Sequence, residues 1–154
     1  MGRNRRNKRT DRQARLLRAQ RGQALLEAAL IIPVLLVLAF GVVMAGRVAH
    51  AKIAVQAAAR EASRTLATAP SESEGLAAAQ QRAVSVAGGY DLSLDQLTVD
   101  VNANGFQRGG VASADVTYRV NVADLPLLNR VDVTVSASHS ERIELYRSRE
   151  AVAR

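Results

Sequence analysis

Residues 24–45 read ALLEAALIIPVLLVLAFGVVMA, and this apolar stretch decides the fold class of the chain. Glu27 is its only charged residue, and no polar residue lies between Leu30 and Ala45. A helix of 22 residues rises about 33 Å, close to the roughly 30 Å hydrocarbon core of a bilayer. A buried core helix of a soluble protein would carry a polar face, which this stretch lacks. The pattern therefore predicts a transmembrane helix over residues 23–45, in contact with membrane lipid.

The excess positive charge lies on one side of this helix. The net charge is +7, yet residues 1–21 alone hold nine basic residues and one acid. The other 133 residues hold 12 basic and 13 acidic residues and are close to neutral. Because basic residues that flank a membrane helix stay in the cytoplasm, residues 1–22 are predicted to be a basic cytoplasmic leader. Residues 46–154 are then an extracytoplasmic domain. The first ten residues are polar and predicted to be irregular.

Two other interpretations of the leader fit the sequence less well. A basic segment also binds nucleic acid, but the adjacent membrane helix already explains the charge, so no nucleic acid is expected. An ordinary secretory signal has an apolar region of about 7 to 15 residues, shorter than the one here. The chain contains no cysteine, which excludes disulfides and thiolate metal sites.

The helix is predicted to continue beyond the membrane without a break. From Gly46 to Ala69 no helix breaker occurs, and apolar residues recur every three or four positions. These residues are Val48, Ala51, Val55, Ala58, Ala62 and Leu66. Such a stripe packs against a sheet or against neighbouring subunits, and both roles stay open. Pro70 ends this helix.

A second helix and three strands are predicted after Pro70. Ser71 or Ser73 is suited to cap the helix, and Gly88-Gly89 ends it. Alternation of apolar and polar residues then predicts strands over residues 97–102, 115–122 and 131–138. The connections, near residues 104–110 and 125–129, are too short for crossover helices, so the sheet is antiparallel. Residues 141–146 extend the last strand in this interpretation. The predicted fold class is α+β.

No catalytic or metal-binding pattern is present in the sequence. His50 and His139 have no carboxylate or cysteine at ligand spacing and are interpreted as ordinary polar positions. No glycine-rich phosphate loop and no nucleophile elbow occur. We therefore expect neither an enzyme nor a cofactor.

The most informative motif joins the leader to the helix. Residues 21–27 read RGQALLE, in which a glycine ends the basic leader and a carboxylate follows five residues later. This resembles the cleavage site of type IV pilins and pseudopilins, which a membrane prepilin peptidase cuts after the glycine. The stretch RGQALLEAALIIPVLLVLAFGVVMAGR resembles the TadE-like family, the minor pseudopilins of the tight-adherence (Flp) pilus. A pilin-like α+β tail ending in VDVTVSASHSERIELYR is also similar to that family.

The resemblance implies a processing site and a set of partners. Gly22 would precede the cut, Gln23 would be the new N-terminus, and Glu27 would be the helix carboxylate of the mature subunit. Ala28 departs from the aromatic residue that often follows the glutamate in related sequences. The implied partners are a prepilin peptidase, other pilin or pseudopilin subunits, and the pilus assembly machinery. The implied location is the cytoplasmic membrane of a prokaryote, or a surface pilus.

Glu27 also has a physical role that is independent of the resemblance. A carboxylate in the membrane costs about 2 to 3 kcal/mol, and an α-amino group at Gln23 would be costly as well. The two charges would offset each other within one subunit or between neighbours. Alternatively, Glu27 reaches the membrane interface on its own. Two functions follow: a structural pseudopilin-like subunit, or an uncleaved single-pass membrane protein whose outer domain binds a partner.

Overall fold

A computed structural model describes residues 3–122 and 133–143, with side chains from residue 23 onward. The chain divides into two compact units, Met1–Val43 and Met44–Arg154. The first unit is helical throughout its described part. The described part of the second contains the rest of that helix, a second α-helix, a short 3-10 helix at Leu94–Gln96 and a sheet. The predicted α+β class, with a long apolar N-terminal helix, a second helix and a three-stranded antiparallel sheet, is confirmed.

Helix α1 spans Arg3–Ala67 and includes Pro33. The predicted continuation beyond residue 45 is therefore confirmed. The prediction of irregular structure for residues 1–10 is wrong from Arg3 onward. Those residues contain no proline, and arginine and lysine favour helices. Pro70 lies three residues beyond the last helical residue and has no backbone N–H to continue the hydrogen-bond ladder.

Helix α2 spans Glu72–Gly89. Of the two serines suited to cap it, Ser71 has the extended backbone of an N-cap, and its side chain accepts a hydrogen bond from the Glu74 N–H at 3.4 Å. Glu72 and Glu74 lie in the first turn, where the helix dipole favours negative charge. The helix ends at the predicted glycine pair.

The sheet consists of β1 (Leu97–Asn102), β2 (Val111–Val120) and β3 (Val133–Arg142), in that order and antiparallel. Strand β2 begins four residues before the predicted start. Its first residues, Val-Ala-Ser-Ala, carry a weak alternating pattern but pair with the far end of β3. The predicted connection at residues 125–129 lies outside the described residues, as do residues 131–132 and 144–146.

The core of the second unit consists mainly of alanine and valine. Helix α1 contributes a fully buried stripe, which includes every predicted member except the half-buried Val48. Strand β2 turns its even-numbered residues, among them Val116 and Tyr118, toward this core. Small side chains let helix and sheet backbones approach closely. The prediction that the stripe has a core role is therefore confirmed.

Candidate processing and assembly site

The three residues of the predicted processing motif lie on one continuous stretch of helix. Gly22, Gln23 and Glu27 are all within α1. Because a helix makes one turn in 3.6 residues, positions 23 and 27 lie on the same face, one turn apart. The helix thus brings together the predicted new N-terminus and the predicted carboxylate.

The side chains of these two positions are in direct contact. Gln23 Nε2 donates a hydrogen bond to Glu27 Oε1 at 3.2 Å, and both residues are exposed. The carboxylate is therefore turned toward residue 23. A positive charge at that position would lie within one helical turn of the carboxylate, a favourable pairing at a helix surface.

Large apolar side chains surround this pair and continue along the helix. Leu25 is 71% exposed and Leu30 is 70% exposed, and the apolar window of the helix has no buried residue. In the described part of the chain, this is the one helix long and apolar enough to cross a membrane, judged by length and composition. The surface suits lipid or the helix of another subunit.

The two histidines make local contacts in the second unit. His50 Nε2 donates to the carbonyl oxygen of Tyr90 at 2.9 Å, and the two rings meet edge to face. His139 Nε2 lies 3.7 Å from a Glu141 carboxylate oxygen. Within residues 23–122 and 133–143, no three histidine, cysteine or acidic side chains are grouped so as to hold a metal ion.

Sequence reasoning missed a cleft beside strand β3. Its volume is about 270 Å³. Helix α1 lines one wall with Lys52, Gln56 and Arg60, and β3 lines the other with residues 136–139. The Lys52 ammonium donates to the carbonyl oxygen of Ser136. A spacing of four residues puts the three α1 side chains on one helix face, which the sequence could have shown, but only the fold brings that face beside β3. We call this feature the cationic cleft.

Comparison with known protein families gives a match at the start of the apolar helix. Residues 22–64 match the family described as TadE-like protein, and the match begins at Gly22. The predicted resemblance to the TadE-like family is thus confirmed over this segment, which covers the apolar helix and most of the buried stripe. The family suggests a structural role in tight-adherence pilus systems, in association with other pilus components. The chain matches no curated protein and no solved structure.

Proposed function

We propose that this protein is a pseudopilin-like subunit that a prepilin peptidase cuts after Gly22 and that then takes part in assembly of a tight-adherence pilus. The observation that carries the proposal is the Gln23–Glu27 contact at 3.2 Å, at the start of the segment matched by the TadE-like family. The contact supports a defined role for Glu27 after cleavage. The new α-amino group at residue 23 is one helical turn from the carboxylate that offsets its charge.

The helix that follows supplies the means of anchoring and assembly. Its exposed leucines, valines and isoleucines keep the subunit in the membrane before assembly, at about 25 cal/mol per Å² of apolar surface removed from water. In an assembled filament the same surface packs against the helices of other subunits. The basic leader holds the N-terminus in the cytoplasm, so that the second unit lies outside.

Cleavage is tested first, because the alternative of an uncleaved single-pass protein excludes it. We expect membrane-associated protein from cells with the peptidase to begin at Gln23 in N-terminal sequencing. Gly22→Val should leave a precursor that still fractionates with the membrane, since its apolar helix is intact. Gly46→Val is the matched control, because nothing lies within 4 Å of a side chain placed there. Wild-type protein that keeps residues 1–22 would rule out the pseudopilin role and favour the uncleaved protein.

The role of Glu27 is tested separately. Glu27→Ala should be processed as the wild type is, because the peptidase depends mainly on the glycine, but the amine at Gln23 then lacks its counter-charge. We expect pilus assembly to fall and the precursor-to-mature ratio to stay unchanged. Glu27→Asp, which keeps the charge on a shorter side chain, should retain part of the assembly. Equal assembly by Glu27→Ala and wild type would show that the carboxylate has no such role.

Orientation has its own test. A reporter that is active only in the cytoplasm, fused after Arg154, should be inactive. Activity of that fusion would place the second unit in the cytoplasm and contradict the proposed orientation.

A further inference from the structure

The cationic cleft carries uncompensated positive charge. Lys52 and Arg60 line it, and none of its described lining residues is acidic. The Arg60 guanidinium has neither an ion pair nor a hydrogen bond to any described residue. The neighbouring Glu61 contacts Arg82 on α2 instead, at 3.2 Å. The cleft therefore presents two cations to whatever enters it.

The second wall of the cleft offers hydrogen-bonding groups. The Ile143 N–H donates to the Gly110 carbonyl oxygen, and the Ile143 carbonyl oxygen accepts from the Gly109 N–H, so the backbone groups of residue 143 face β2. Backbone N–H and C=O groups alternate in direction along a strand. Since residue 143 faces β2, the backbone groups of the even-numbered Ser136, Ser138 and Ser140 point away from β2. The Ser136 carbonyl oxygen is already bonded to Lys52, which places a charge at an edge that no other described strand covers. Small hydroxyl side chains leave this edge sterically accessible.

Two negative charges, opposite in sign to those of the cationic cleft, lie on the sheet face that is turned away from the helices. Asp100 of β1 and Asp115 of β2 are direct cross-strand partners, and both are exposed. Like charges in such positions destabilise a sheet. Neither carboxylate has a partner among the described residues. Their neighbours on this face include Thr98, Thr117 and Ser138, so the surface is flat and polar.

We propose that the cationic cleft is a docking surface for a second copy of this chain, which enters with Asp100 and Asp115. Charge complementarity favours this occupant: two cations that have no acidic partner among the described residues meet two carboxylates whose mutual repulsion the contact relieves. Lys52 and Arg60 are eight residues apart on α1, and their long side chains converge on the carboxylate pair. The contact lies wholly within the second unit. It goes beyond the proposed function and holds whether or not the leader is cut.

Cysteine cross-linking tests this contact directly, because the chain has no cysteine of its own. Two differently tagged full-length copies are expressed together in membranes, one with Gln56→Cys in the cleft and one with Thr98→Cys beside Asp100. Oxidation should give a mixed disulfide dimer. Gln80→Cys, exposed on α2, replaces Thr98→Cys in the control pair. A yield no higher than that of the control overturns the proposal.

Charge reversal shows whether these four charges drive the contact. K52E/R60E in the first copy should lower the cross-link yield by about tenfold, the scale expected for reversing two surface pairs. Adding D100K/D115K to the second copy should restore it. The matched control is E72K/E74K, which changes the net charge equally at a different exposed site. Restoration by this control, or no effect of K52E/R60E, overturns the proposal.

Salt dependence gives a second measurement in case a reversal variant fails to accumulate. The cross-link between otherwise wild-type copies should weaken as salt rises from about 0.05 to 0.5 M, because exposed ion pairs are screened. A salt-independent yield overturns the proposal. The proportion of cleaved protein is read from the same membranes. Fully processed protein that gives no cross-link therefore contradicts this contact but not the proposed function. Uncleaved protein that does give the cross-link contradicts the proposed function but not this contact.

Discussion

Two segments of helix α1 use apolar residues in opposite ways. In the first unit the side chains are large and exposed: Leu26 is 67% exposed and Leu38 is 65% exposed. In the second unit they are small and hidden: Ala54, Ala58 and Ala62 are all 0% exposed. Both segments are rich in apolar residues, but the first has no polar face and the second has one apolar stripe. The size of the side chains separates a surface made for lipid or other helices from one made for close packing within the unit.

The difference follows from the surroundings of each segment in the folded protein. Leucine has a large apolar area and a flexible side chain. Both suit contact with lipid, because lipid chains are fluid and adapt to the shape of the helix surface. Alanine offers little area, but it lets a helix approach a sheet closely, and a close-packed core has no tolerance for added volume. The first unit should therefore be sensitive to charge and tolerant of size, and the second should be sensitive to size.

The largest effect is expected from charge in the first unit. Arginine near the centre of a membrane helix costs about 2.5 to 3.5 kcal/mol per residue, so that Leu35→Arg with Leu36→Arg costs about 5 to 7 kcal/mol. We expect this variant to be released from membranes by alkaline carbonate. The control, Leu35→Ala with Leu36→Ala, should stay in the pellet. An arginine variant that resists extraction would mean that this segment does not lie in the bilayer.

Size should dominate in the second unit. Ala58→Leu adds volume at a position that is 0% exposed, and overpacking of this kind costs about 1 to 3 kcal/mol. Amide hydrogen exchange in β2 of the full-length protein should then accelerate by about fivefold to 150-fold. The control is Ala49→Leu on the exposed side of the same helix, which should leave exchange unchanged. Equal exchange in both variants would contradict a close-packed alanine core.

Local sequence patterns predicted the helices and strands, but not which of their residues contact each other. An apolar run, a period of 3.6 residues, capping signals and a period of 2 residues were enough to predict α1 from residue 23 onward, α2 and the antiparallel sheet, but not the helix at residues 3–10. Periodicity could not reveal that Asp100 lies opposite Asp115, because register depends on a turn with left-handed residues at Asn104, Gly105 and Phe106. Similarly, a helical spacing of eight residues puts Lys52 and Arg60 on one face but does not indicate which strand lies beside it.

The candidate site was more predictable than the cleft because it is local. Glu27 and Gln23 are one helical turn apart, so any helix through them produces their contact. The start of β2 could not be predicted for the opposite reason. Three of its first four residues have no strong strand preference, and all four are held by pairing with residues 139–142, which are distant in sequence.

A smaller effect is expected where α1 and α2 connect. A Cβ atom at Gly75 would lie 2.6 Å from Ala69 Cβ and 2.9 Å from Leu66 Cδ1. Gly75→Ala should therefore force the connection apart and cost about 1 to 2 kcal/mol, read from hydrogen exchange in both flanking helical turns. Gly88→Ala in the same helix meets nothing within 4 Å and should gain up to about 0.5 to 1 kcal/mol from helix propensity. Similar effects of the two substitutions would show that the close approach at Gly75 does not constrain the second unit.

The smallest effect is expected at the start of α2. The sequence has two serines suited to be the N-cap, Ser71 and Ser73, and Ser71 is the N-cap in the structure. Ser71 accepts from the Glu74 N–H at 3.4 Å, a long bond that places its contribution near the lower end of the range of about 0.5 to 2 kcal/mol for an N-cap. Ser71→Ala should speed exchange of the Glu74 amide by about two- to fivefold. Ser73→Ala should leave that amide unchanged, because residue 73 already lies inside the helix. If Ser73→Ala has the larger effect, the helix begins two residues later, and Glu72 no longer lies in its first turn.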